Sequence, residues 1–132
     1  YMDDFYLVHT SKEYLKDCLA CIRRECSYLG ITLNERKTGI VKLSHGFTWL
    51  KKRISITSTG RIVVKPSRDS VTRERRKLKK MARLVADGEM TVEQVAQSYQ
   101  SWRGGMKRLD AHGTVLSMDR LYRELFGPIS QG

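Results

Sequence analysis

The sequence lacks the features that commit a chain to several common classes. No apolar run approaches the roughly 20 residues a membrane-spanning helix needs. No basic segment followed by an apolar one marks a secretory signal. Cysteine is scarce: Cys18, Cys21 and Cys26 are the only three in 132 residues. An odd count at such close spacing is no disulfide framework. Cys18 and Cys21 have CxxC spacing, but a metal site needs further ligands, and no second CxxC exists. Reduced thiols in or near a core are therefore expected, which suits a cytoplasmic compartment. His9, His45 and His112 share no spacing with the acidic residues and receive no role. Repeats and low-complexity segments are missing too. The chain opens on Tyr1 instead of Met, so it is expected to be a piece of a longer protein.

Hydrophobic residues make up 40% of the chain and charged ones 30%, the balance of a globular protein. The length suits one modest domain or two small lobes. Net charge is +11, and it is unevenly spread. Residues 1–60 hold 10 basic and 6 acidic side chains, residues 61–88 hold 10 and 3, and residues 89–132 hold 5 and 5. Most of the excess thus lies in one short stretch. A concentrated basic stripe is the electrostatic footprint of a polyphosphate partner. A solvated helix face accounts for the charge equally well.

Along the chain, Phe5-Tyr-Leu-Val8 reads as a short β-type run. Ser11 is placed to cap a helix ending near Gly30. Leu15, Cys18, Leu19, Ile22, Cys26 and Leu29 recur at three- and four-residue steps, which predicts one buried face. Short extended pieces follow at 31–33, 39–43 and 47–57. Ser58-Thr59-Gly60 supplies a turn, and residues 61–65 a returning strand, stopped by Pro66. Helices are predicted over 70–87, closed by Gly88, then from a Thr91/Gln94 capping box to about Arg108, and from Ser117 to Gly127. Gly104-Gly105 is expected to weaken the second of these.

Asp3 and Asp4 are the most informative residues. Two adjacent carboxylates beside an apolar run are costly unless a cation or donor neutralises them. Mg²⁺ resolves the conflict, because it takes hard oxygen ligands, and two-metal phosphoryl transfer uses such carboxylates. An Asp-Asp turn open to water, with no ion, is the plain alternative.

Tyr1-Met2-Asp3-Asp4 followed by Phe5-Tyr-Leu-Val8 resembles the reverse transcriptase signature. The likeness continues in Leu29-Gly-Ile-Thr-Leu-Asn34 with Lys37-Thr38, in Phe47-Thr-Trp-Leu50, and in Ser98-Tyr-Gln-Ser-Trp-Arg-Gly104. The last stretch is similar to bacterial enzymes, including those of diversity-generating retroelements; a group II intron type is another match. The resemblance implies an α+β chain: a partial polymerase palm of short antiparallel strands, one helix and a β-hairpin over 1–66, then a three-helix thumb bundle over 67–132. It implies that Asp3 and Asp4 bind Mg²⁺ or Mn²⁺, and that Tyr1 and Met2 lie near the primer terminus and the incoming dNTP. Lys37 matches a basic position associated with protonating the pyrophosphate leaving group; a phosphate-neutralising or surface role fits equally. Phe47, Trp49, Leu50 and Lys51 fall in the primer-grip hairpin. Many bacterial relatives carry Gly where this chain has Lys51, which puts the tight turn in question and points Lys51 at the primer backbone.

The family's site takes another aspartate from a palm strand upstream of this pair. The 132 residues alone are therefore expected to be inactive, because phosphoryl transfer depends on positioned ions. An unpartnered apolar palm lobe is also expected to self-associate. On the predicted helix over 70–87, Val71, Leu78, Met81, Ala82 and Val85 form an inward stripe, leaving Arg73, Arg76, Lys77, Lys80 and Arg83 on other faces. Such cations bind phosphates without base specificity, which suits a thumb holding an RNA template–DNA primer duplex. Residues Val92, Val95, Ala96, Tyr99, Trp102, Leu121, Tyr122, Leu125 and Phe126 are expected in the bundle core. Two further readings compete with the polymerase: a stand-alone basic nucleic-acid-binding module, and a protein-interaction domain.

Overall fold

Ser11 starts the first helix where its position predicts: its hydroxyl accepts from the Tyr14 amide at 3.2 Å. The structure, a computed structural model, describes residues 3–129. Its elements are α1 (Lys12–Tyr28), β1 (Phe47–Trp49), β2 (Lys52–Ile56), β3 (Ile62–Pro66), α2 (Arg68–Ala86), α3 (Val92–Met106) and α4 (His112–Phe126). The fold is α+β, with four helices and one antiparallel sheet among the described residues. The chain divides into two compact units, Tyr1–Lys42 and Leu43–Gly132. The hairpin strands thus lie in the same compact unit as the three later helices.

The first unit holds α1 and irregular segments. Gly30 and Ile31 close the helix by donating to Ser27 O and Cys26 O at 3.2 and 2.8 Å. The expected strand at 5–8 does not form, nor do those at 31–33 and 39–43. A strand needs a ladder partner, and no described segment of this unit supplies one. Phe5, Tyr6, Leu7 and Val8 accordingly stay 55–64% exposed. No residue of α1 is buried either. Leu15, Cys18, Leu19, Ile22 and Cys26 are only half-buried and Leu29, the last member of the predicted stripe, is 66% exposed, so the stripe has no core to enter.

In the second unit the expected strand over 47–57 is two strands. It folds back after Trp49, and β1, β2 and β3 lie in sequence order, each antiparallel to the next. Phe47 faces Ile54, Trp49 faces Lys52, and Ile54 faces Val64. Gly46 makes the entry possible: it is buried, its φ is +74°, and a Cβ there would meet Ile54 O at 2.9 Å. The β2–β3 turn forms at Ser58–Gly60 as read, held by Thr57 N donating to Arg61 O at 2.9 Å.

Three helices then build the core. α2 is capped by Ser67, whose hydroxyl accepts from the Ser70 amide at 3.3 Å. The Thr91/Gln94 box of α3 is complete, with reciprocal bonds of 3.0 and 3.2 Å. The helix runs through Gly104-Gly105 to Met106. Leu78, Val95, Tyr99, Met118 and Tyr122 are fully buried together, each worth roughly 1.5–3 kcal/mol over exposure. Tyr99 stacks on Tyr122 at 4.7 Å between ring centres. α4 begins at His112, five residues before the expected Ser117. Its start has no side-chain cap, because the preceding loop is held by tertiary bonds. Asp110 N donates to Val64 O at 2.8 Å; its carboxylate accepts from Val64 N at 3.0 Å and Arg61 at 2.8 Å.

Candidate nucleic-acid interface

The acidic end lies in the first unit. Asp3 and Asp4 are neighbours in an irregular, exposed segment. Lys37 is exposed on a turn that Asn34 organises: Asn34 O accepts from the Lys37 and Thr38 amides at 3.0 and 2.9 Å, and Asn34 Oδ1 from Arg36 N at 3.2 Å. Lys37 lies within electrostatic reach of Asp3. Tyr1 and Met2 lie outside the described residues. Among the described residues no three His, Cys, Asp or Glu side chains gather into a metal site. The pair offers two hard oxygen donors of the kind Mg²⁺ or Mn²⁺ takes, an incomplete set.

The second unit carries a hairpin whose tip is formed by Leu50 and Lys51. Both adopt left-handed backbone, with φ of 47° and 64°. Two successive positive φ values make the turn that matches strand twist, at a cost for residues with a Cβ. The tight turn therefore persists without glycine, and Lys51 stands exposed at its tip. Lys51 O accepts from the Ser67 amide at 2.8 Å, tying this tip to the start of α2. Phe47 and Trp49 are half-buried on β1.

α2 presents the cations. Arg73, Arg76, Lys77, Lys80 and Arg83 are all exposed. At 3.6 residues per turn they share an arc about 120° wide, so the sequence-predicted set does form one face. Arg73, Arg76, Lys80 and Arg83 make no ion pair among the described residues, whereas Lys77 lies 3.8 Å from Glu74. Arg75 faces elsewhere and donates to Ser117 at 2.7 Å. Unpaired cations one helical turn apart are suited to neutralising successive phosphates.

Two buried acids escaped the sequence reading. Asp119 accepts from the Tyr99 hydroxyl at 2.6 Å and from Arg103 at 3.1 and 3.0 Å. Burial, then the Asp119 carboxylate, pushes the Tyr99 phenol far above its ordinary value. Glu74 is the second acid, with its side chain 10% exposed and Oε1 lacking any hydrogen-bond partner. Burial raises its pKa against the opposing pull of Lys77. Its position was legible in outline: Glu74 stands four residues before Leu78 and seven before Met81, on the inward stripe.

No family model, curated protein or solved structure matches the chain. No described helix is long and apolar enough to cross a membrane.

Proposed function

We propose that this chain is part of an RNA-directed DNA polymerase, contributing the metal-binding aspartate pair and the surface that holds the template–primer duplex. The observation that carries the reading is the adjacent, exposed carboxylates of Asp3 and Asp4 in their YMDD setting. Lys37 within electrostatic reach of Asp3, the strained hairpin tip at Leu50–Lys51 and the cationic face of α2 support it in the order the resemblance implies. Asp3 and Asp4 would hold a divalent ion, which when bound supplies charge neutralisation at the transferring phosphate. Arg73, Arg76, Lys77, Lys80 and Arg83 would hold the duplex backbone without reading sequence.

The 132 residues alone, with two carboxylate ligands, are not expected to polymerise. In an enzyme restored with its upstream palm and fingers, Asp3→Asn with Asp4→Asn should abolish primer extension on an RNA template. Undiminished synthesis by that double variant would refute the catalytic role. A second reading, a basic nucleic-acid-binding module without catalysis, draws on the incomplete donor set. It requires that the same double substitution leave duplex affinity as the only measurable property, with no upstream region able to confer synthesis.

A further inference from the structure

Cys18, Cys21 and Cys26 all lie on α1, and helix geometry decides which of them can meet. On a regular helix, residues three apart have Cα atoms about 5 Å from each other. That falls inside the window of roughly 4.4–6.8 Å in which a disulfide closes. Cys18 and Cys21 hold this spacing in the middle of α1. By the same geometry Cys21 and Cys26 are about 9 Å apart, and Cys18 and Cys26 about 12 Å. Neither of those pairs can bridge without unwinding the helix.

The two thiols differ in access. Cys21 is exposed, whereas Cys18 is half-buried, and both are free. The exposed thiol departs from the expectation of cysteines in or near a core. No residue of α1 is buried, so no core shields the pair or holds the helix around it. A structural metal takes about four ligands, and among the described residues no three His, Cys, Asp or Glu side chains gather. The pair is left with its own sulfur chemistry. An accessible thiol with a second thiol one turn away is the arrangement of a reactive cysteine and its resolving partner.

We propose that Cys18 and Cys21 are a thiol–disulfide exchange site, with Cys21 attacking, Cys18 resolving, and a small disulfide of the glutathione class as oxidant. Cys21 gives its proton to water, and its thiolate attacks one sulfur of the oxidant. A mixed disulfide forms, and the other half leaves as a thiolate that takes up a proton. Cys18, deprotonated in turn, attacks the Cys21 sulfur; the internal disulfide forms and the second small thiol leaves. Two protein thiols are oxidised, and one small disulfide is reduced to two thiols. Closing the bond must draw Cβ atoms about 5–6 Å apart on a regular helix to about 4 Å. That strain distorts the middle of α1 and makes the bond easily reduced. The site is thus reversible, and it lies in the same compact unit as Asp3 and Asp4. It stands whether or not the chain takes part in polymerisation.

The test is incubation of the full 132-residue chain with oxidised glutathione, then alkylation and mass-spectrometric mapping. The expected product is a monomer two hydrogens lighter, with a Cys18–Cys21 bond and Cys26 alkylated. Excess reduced glutathione should return all three thiols. Cys18→Ser should instead accumulate the glutathione adduct on Cys21. In concentrated urea, where no helix selects the pair, bonds to Cys26 should appear as well. Mapping the unaltered chain keeps the test valid where a serine variant folds poorly. A lack of reaction, disulfide-linked dimers, or a lasting adduct on the unaltered chain would each overturn the site. The same pairing pattern with and without urea would overturn it too.

Discussion

Glu74 and Asp119 are both carboxylates inside the helical bundle, and their surroundings give them opposite energetic signs. Asp119 is satisfied three times over, by Tyr99 and by two guanidinium nitrogens of Arg103. Removing it strands a buried hydroxyl and an organised cation, so Asp119→Ala should cost about 3–5 kcal/mol. Tyr99→Phe, which leaves the Arg103 pair in place, should cost only about 1–1.5 kcal/mol. Urea midpoints of the two variants check the order; a larger loss for Tyr99→Phe would contradict it. Glu74, with Oε1 unbonded, is instead a liability when ionised. Its folded-state pKa lies above the ordinary 4.5, so its contribution is most favourable at acid pH and is lost as pH rises through the raised value. Glu74→Gln should therefore raise the melting temperature by a few degrees at pH 7, an effect of roughly 1 kcal/mol. The gain should fade as pH falls. A variant melting lower at neutral pH would show that the Lys77 pair outweighs the burial cost.

At the scale of the element, the hairpin tip shows a similar tension. Leu50 and Lys51 both hold positive φ, at roughly 1 kcal/mol per residue. Leu50 is 47% exposed, so it is not anchored there by burial. Replacing the pair by Asn-Gly should stabilise the second unit by about 1–2 kcal/mol in thermal melts. It should also weaken nucleic-acid binding through loss of the Lys51 charge. No gain in stability would mean that tertiary contacts, such as Lys51 O with the Ser67 amide, already hold the turn. Helix limits were legible at most ends that local chemistry sets; the Ser67 cap, which starts α2 at Arg68 instead of the expected 70, was missed. Ser11, Thr91 with Gln94, Gly88 and Gly127 stand at ends that capping and closing bonds define. The start of α4 was not legible, because Asp110 spends its backbone and side chain on β3. That bond joins residues 46 apart, which no local window contains. The turn at Leu50–Lys51 was hidden for the opposite reason: nothing in a Leu-Lys pair announces left-handed backbone.

Across the whole molecule, charge is the property with the widest reach. The excess of cations concentrates in residues 61–88, and the α2 face leaves most of its share without acidic partners. Duplex affinity should thus fall linearly with the logarithm of salt concentration. Arg73→Gln with Arg76→Gln should lower that slope by about 2 and weaken all sequences alike. A slope unchanged in the double variant would place the duplex elsewhere.

Local pattern along the chain was enough to place the three later helices, the β2–β3 turn and the cations. Each depends on residues within a few steps of one another: caps, periodic apolar faces, turn-formers. Tertiary structure alone decided that residues 5–8 form no strand, that the hairpin groups with the helices, and that Glu74 is buried beside Lys77. Strand pairing and burial are relations between distant segments. A side chain's environment in the interior is set by whichever surfaces reach it, and a local pattern carries no record of those partners.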